Sequence, residues 1–386
     1  MNARRVLLFS AAFLCMTVQV LPAQSVAFER AATLQHGINL SGWFASSSDL
    51  SAQHIENFTN ATDLKTIHAM GFDFVRLGIS PDLIERHGQT APAHPEVLAQ
   101  LDHAVVEALD NHLEVMLCVF PNDEYKHNLA TERGVDDYVQ LWRILSAHFA
   151  PQNHDRIFYE LMNEPEVPDP YRWMGIQARA VEAIRQIDPY HTIVATAANY
   201  SSLGDLLQLE PVRDANVIYN FHFYEPYPFT HQGASWGADN WIYYKNIPYP
   251  ATPATLADQM KNVPGDLARY ELYLYGADGW NREGIAARIS FAAAWARERH
   301  VPLICNEFGA YRETAPPASR ARWIHDVRSA LEANHIGWAM WDYRGNFGIV
   351  TRTDTEITPD DATLKALGLN ADAKPVPLPA PSQSGQ

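Results

Sequence analysis

Residues 158–165, Phe158-Tyr159-Glu160-Leu161-Met162-Asn163-Glu164-Pro165, form a short, mostly apolar stretch that stops at a polar pair followed by proline. The pattern is that of a buried strand. Pro165 disfavours the α region for Glu164 and ends regular structure there. An amide and a carboxylate are left side by side at a strand's carboxyl end, where α/β sheets and barrels bind their ligands. A second stretch, Val301-Pro302-Leu303-Ile304-Cys305-Asn306-Glu307-Phe308-Gly309, repeats the form: apolar strand, Asn-Glu, breaker. One glutamate after a strand is more often a helix N-terminal residue or a loop ion pair. Two in the same context point to a shared site.

Outward from these stretches, strands and helices alternate. Strands are expected at His36–Gly42, Phe72–Ile79, Leu113–Phe120, Arg156–Met162, Thr192–Thr196, Val217–Tyr224, Val301–Asn306 and Gly337–Trp341. Helices are expected at Ala61–Met70, His94–Asn111, Val135–Phe149, Tyr171–Ile187, Leu203–Leu209, Arg282–His300, Pro317–Asn334 and Asp360–Leu367, with apolar spacing such as Val97, Leu101, Val105 and Leu109. Eight strand–helix units over this length predict an α/β fold, a (β/α)8 TIM barrel in one domain spanning 26–370. A doubly wound open sheet is the alternative, but no Gly-x-Gly-x-x-Gly turn follows the first strand. A long insertion, Glu225 to Trp280, follows strand six and carries Trp236, Trp241, Tyr243, Tyr244 and Tyr249. Its rings could wall a binding cleft or simply hold the loop down. Arg76, near the end of its strand, needs a carboxylate partner if buried.

The chain has 386 residues, 47% of them hydrophobic, with 10 Trp and 17 Tyr, enough for a large core and for ring-lined sites. A formal charge of -16 argues against nucleic acid and anionic membrane surfaces as partners. Arg4 and Arg5, the apolar run Val6 to Val20 and the small residues after Leu21 have the layout of a signal peptide over residues 1–25, cut after Ala23 or Ser25. That layout predicts a secreted or periplasmic protein, off the membrane once cleaved. Of three cysteines, Cys118 and Cys305 sit inside apolar strands and behave as small core residues rather than a disulfide. Residues 371–386, rich in Pro, Ser and Ala, are expected to be a disordered tail.

Two strand-end carboxylates are the raw material of glycoside hydrolysis. With the strand ends collected, the chain resembles glycoside hydrolase family 5, the cellulase-type barrel glycosidases. His36-Gly37-Ile38-Asn39-Leu40-Ser41-Gly42 matches at strand one, Val75-Arg76-Leu77 at two, and Asn163-Glu164-Pro165 at four. His222-Phe223-Tyr224 matches at six, Asn306-Glu307-Phe308-Gly309 at seven and Trp341 at eight. The resemblance runs from about residue 34 to 368. It implies a retaining mechanism with Glu164 as acid/base and Glu307 as nucleophile, their carboxyls about 5–5.5 Å apart. Glu164 would need a raised pKa while Glu307 stays ionised, with Arg76 and Tyr224 supporting the charge. Asn163 would bind the sugar 2-hydroxyl, His222 would hold the acid/base or a hydroxyl, and Trp341 would be a stacking floor. His36 and Trp236 complete the implied binding residues.

Strand three departs from the family pattern. It ends Cys118-Val119-Phe120-Pro121 where many members carry a histidine, so Asn122 or Asp123 would have to supply that contact. The resemblance implies an endo-β-1,4-glucanase acting on polysaccharide as a monomer, with no metal or other cofactor. β-Mannan, xyloglucan and β-1,3-glucan are the alternative substrates. The alternative of another class is a barrel that binds carbohydrate without cutting it. No His-x-His or His-Glu-x-x-His spacing supports a metal hydrolase, and no strand-end lysine supports a Schiff-base aldolase.

Overall fold

The computed structural model describes residues 26–85, 92 and 94–378; the expected signal peptide lies outside the described residues. Eight parallel strands close into a barrel in chain order: β1 (His36–Asn39), β2 (Phe74–Ile79), β3 (Glu114–Val119), β4 (Ile157–Glu160), β5 (Thr192–Thr196), β6 (Val217–Phe223), β7 (Leu303–Phe308) and β8 (Gly337–Met340). Closure is made by β8 on β1, with Ile38 opposite Met340. β5 and β6 are buried along their whole length, which is why they read as unbroken apolar runs. The expected (β/α)8 architecture is the one observed.

The barrel interior is built in layers of alternate residues. Phe74, Met116, Phe158, Val194, Ile218, Ile304 and Ala339, with Leu34, form one apolar layer. Two residues further along the same strands the inward positions turn polar: Arg76, Cys118, Glu160, Thr196, Asn220 and Asn306, all buried. Period-two alternation thus stacks a polar layer on an apolar plug. Outside, helices bury one stripe each; Pro95–Asp110 covers the sheet with Val97, Leu101, Val105 and Leu109 among others. Side-chain caps start many of them, as at Asn60, Thr131, Asp169 and Asn281.

Several segments differ from expectation. Helices Ala52–Phe58 and Asp123–Asn128 occupy stretches that carry no clear apolar period. The insertion after β6 holds short helices, and the longest, Asp266–Ala277, is anchored where the Tyr244 hydroxyl donates to Glu271 at 2.6 Å. The tail is not structureless from Ala371. β11 (Val376–Pro377) pairs antiparallel with β10 (Glu356–Pro359), which pairs with β9 (Val350–Arg352). Proline- and alanine-rich composition hid this, because two ladder positions and a backbone bond from Leu378 to Thr355 suffice to hold the chain. Residues 379–386 lie outside the described residues. Cys118 and Cys305 are free and buried.

Two glycines test this packing with opposite sign. A Cβ on Gly337, at the start of β8, would lie 1.9 Å from the Leu34 carbonyl oxygen. Gly337→Ala should therefore destabilise by about 1–3 kcal/mol through forced backbone movement at the closing seam. Gly175 is exposed inside a helix with nothing within 4 Å of its would-be Cβ. Gly175→Ala should stabilise by about 0.5–1 kcal/mol. Urea unfolding midpoints of the two variants read both signs.

Candidate active site

The polar layer centres on Arg76, whose side chain is 1% exposed. Its Nε and Nη2 donate to Glu160 at 2.5 and 2.9 Å, and Nη1 donates to Glu307 at 2.5 Å and to Asn39 at 2.8 Å. Nη2 also donates to the Asn163 Oδ1 at 2.8 Å. Asn220 adds a donor to Glu160 at 3.1 Å. One guanidinium thus ties β1, β2, β4 and β7 together, with β6 joined through Asn220. The fork geometry of arginine makes this possible, since five N–H groups in one plane can serve several acceptors at once.

Glu307 reaches the site because β7 carries an extra residue. Phe221 pairs with Cys305 but His222 pairs with Glu307, so the register shifts by one at Asn306. Strict alternation would send Asn306 and Glu307 to opposite faces. The irregularity lets the Asn306 amide turn inward to Met116, at 3.7 Å from its sulfur, while Glu307 faces Arg76 and the cleft. The Tyr224 hydroxyl donates to the other Glu307 oxygen at 2.9 Å. Burial, then the Glu307 and Glu164 charges, push the Tyr224 pKa well above its usual value and keep it a donor.

Glu164 sits past the end of β4 with φ +44°, a left-handed conformation that costs a non-glycine residue about 1–3 kcal/mol. Its carboxylate meets the His222 Nδ1 at 3.0 Å, and the same nitrogen lies 3.4 Å from Glu307. One ligand atom each from Glu164, His222 and Glu307 falls within 4.8 Å of the others. Among the described residues this is the one trio placed to share a cation. Arg76 and Tyr224 already occupy both Glu307 oxygens, so the trio is poorly suited to a metal.

Two carboxylates this close share a proton, and the surrounding donors decide where it rests. Burial pushes the Glu307 carboxyl above the ordinary range, against the pull of His222 and Arg76, with the Glu164 charge adding to the rise. Burial acts on Glu164 in the same sense, but the hydrogen bond from His222 and the cationic surroundings outweigh it and draw Glu164 below the range. The other ring nitrogen of His222, Nε2, is buried without a hydrogen-bond partner among the described residues. Of the pair, Glu307 alone is bonded to Arg76 and Tyr224.

An open cleft of about 1650 Å³ lies over these groups, lined among others by Asn163, Tyr224, Trp236 and Trp341. Trp341 stacks on Phe120, ring centroids 6.0 Å apart at 21°. Phe120 therefore fills the departure at strand three with a ring. Asn122 does not replace the histidine; it caps the helix Asp123–Asn128 and faces Asp82. Trp236, 43% exposed, stands on the insertion wall, edge-on to Tyr311.

Glu164, Glu307, Arg76, Asn163, His222, Tyr224, Trp341 and Trp236 come together as expected for one site. His36 does not. It opens β1 at the amino end of the barrel, its ring on Trp338 and 3.7 Å from both Asp73 and Glu332. The match placed the whole His-Gly-Ile-Asn run at the site, but three residues of strand span about 10 Å. Asn39, at the other end, is the residue that reaches Arg76. Asn39, Glu160 and Asn220 were not singled out from sequence. Their signal was present as polar residues interrupting apolar strands at the same level.

A closed β/α barrel with paired carboxylates at the ends of β4 and β7 is the arrangement of a retaining glycoside hydrolase. Residues 34–347 match the model of the cellulase family, glycosyl hydrolase family 5, and the chain belongs to that family. Endoglucanase C of Acetivibrio thermocellus is 30% identical over 332 residues, 84% of this chain and 93% of that protein. Endoglucanase 3 of Fibrobacter succinogenes is 29% identical over 341 residues, 82% of this chain and 50% of that protein. A hyperthermophilic endo-β-1,4-glucanase solved in complex with substrate superposes with a TM-score of 0.74 at 25% identity, over 89% of this chain and 99% of that one. Thermotoga maritima Cel5A, solved with cellobiose and with mannotriose, shares the fold at a TM-score of 0.73 and 22% identity, over 88% of this chain and 99% of that one.

Arg76→Met should leave Glu160 and Glu307 buried without their cation and destabilise the fold by about 3–5 kcal/mol at pH 7. The loss should shrink in acid, where the orphaned carboxyls can take up protons. Denaturant unfolding at the two pH values measures both.

Proposed function

We propose that the protein is a secreted endo-β-1,4-glucanase in which Glu164 is the acid/base and Glu307 the nucleophile. The observation that carries this is the asymmetry of the pair. Glu307 is held by Arg76 and Tyr224, whereas Glu164, 26% exposed, faces the cleft with only the His222 ring behind it. The acid/base needs a proton to give; the nucleophile needs a negative charge.

In the first step the Glu164 proton passes to the glycosidic oxygen as a Glu307 oxygen bonds to the anomeric carbon and the leaving chain departs. In the second step Glu164, now a carboxylate, takes a proton from water, which displaces Glu307. Two inversions give net retention. Asn163 is turned for its part: Arg76 holds the amide oxygen, so the amide N–H₂ is the group left to donate to a sugar hydroxyl. Trp341 offers a ring face for the sugar. An open cleft suits a chain bound along its length, and the endoglucanase names of the relatives favour a β-1,4-glucan. The signal-peptide layout of residues 1–25 supports secretion. Among the described residues no helix is long and apolar enough to cross a membrane.

Product analysis on carboxymethyl cellulose, glucomannan, xyloglucan, laminarin and xylan tests the substrate. Short oligosaccharides from cellulose derivatives are expected, and cleavage confined to another glycan would overturn the glucan assignment. Glu164→Gln should lose about 10³-fold or more on polysaccharide while retaining the first step on activated aryl cellobiosides. Glu307→Gln should be inactive on both. Wild-type product should appear first as the β anomer by proton NMR.

The pH profile of kcat/KM should be bell-shaped, its two limbs belonging to the Glu164–Glu307 pair as a unit. In Glu164→Gln the alkaline fall should vanish on the activated substrate. Its persistence would contradict the acid/base role.

A further inference from the structure

One wall of the cleft is basic, although the chain as a whole carries a formal charge of -16. Arg312, Arg344 and Arg352 all line it. The three belong to one neighbourhood: the Arg312 backbone N–H donates to Asn346, and the Arg352 charge acts on Arg344. Arg352 is neutralised, its Nε donating to the buried Asp63 at 2.9 Å. Among the described residues the other two have no carboxylate within 4.0 Å. Arg312 gives one N–H to the Val350 carbonyl at 3.1 Å. Arg344 lies over the Phe58 ring, its guanidinium carbon 3.4 Å from the centroid.

The acids nearby are already engaged. Asp63 takes the Tyr343 hydroxyl as well as Arg352. Asp342 takes the Ser41 hydroxyl and the Gly345 N–H. Burial raises the Asp342 pKa to about 6, so its countercharge is incomplete in mild acid. Burial and then the Arg352 charge draw Arg344 down to about 10, against a partial pull from Asp63, Tyr343 and Asp342, none of which forms an ion pair with it. Stacking on Phe58 uses the flat face of the guanidinium and leaves the N–H edge free. That edge is the one that grips a carboxylate with two parallel bonds.

We propose that this wall takes a carboxylate carried on the sugar chain, with Arg344 as its ligand and Arg312 as a second cation, so that the substrate is an acidic β-glucan. The inference rests on the hydrolase reading and deepens it. A neutral glucan would meet the same arginines only through hydroxyls, and would leave two partly desolvated cations without an anion.

The test compares carboxymethyl cellulose with hydroxyethyl cellulose, two soluble derivatives of one backbone that differ in charge. The readout is the ratio of kcat/KM on the anionic to the neutral polymer, which cancels any loss of folded protein. In wild type the ratio should exceed one at low salt and fall as salt is added. In Arg344→Gln it should drop about tenfold, the loss of one charge-assisted contact, and further with Arg312→Gln. Arg344→Lys, which keeps the charge, should recover part of it.

A ratio unmoved in the glutamine variants, or a wild type that prefers the neutral polymer at every salt concentration, overturns the proposal. If wild type cuts neither polymer, the glucanase reading fails on its own. Retardation in gels containing each polymer then decides: slowing by the carboxymethyl form alone supports the anionic wall, and equal or no slowing refutes it.

Discussion

A single buried guanidinium holds the catalytic end of this barrel together. Arg76 faces two carboxylates, Glu160 below and Glu307 above, and each would be intolerable in the barrel interior without it. The same cation fixes Asn39 and Asn163, and through them the ends of β1 and β4. Structural and chemical demands are therefore met by one group. It permits a carboxylate in a dry place and sets the angle at which the neighbouring Asn163 amide faces the cleft.

The apolar layer beneath makes that arrangement rigid. Phe74, Met116, Phe158 and their neighbours plug the barrel two residues below the polar layer, so each site strand is seated by its own apolar residue. The pair Glu164 and Glu307 then differs by its surroundings rather than by chemistry. Glu307 is gripped from two sides, while Glu164 hangs past its strand in a left-handed conformation with the His222 ring behind it. That difference in surroundings is what lets two like carboxyls take different roles.

Much of this was legible in the residues. The eight strands fall where apolar runs end at breakers, and most helix ends lie within a residue or two of where periodicity and caps place them. The insertion was visible as a long aromatic loop, but not its helix Asp266–Ala277, whose buried stripe is the short set Ala268, Leu272, Tyr275 and Gly276. His36 shows the limit of motif matching, since a match says nothing about which end of a four-residue strand faces the substrate. The tail strand Val376–Pro377 shows the limit of composition, because pairing needs only backbone groups in reach.

The sequence by itself determined the barrel and the two glutamates, because both are local signals: alternation, strand length, and Asn-Glu before a breaker. Only the tertiary structure decided which groups surround each carboxylate. The extra residue in β7 that turns Glu307 toward Arg76, the convergence of Asn39, Glu160 and Asn220 from distant strands, and the uncompensated arginines of the cleft wall all depend on register and closure. Those are properties of the closed barrel, fixed by contacts between residues far apart in the chain.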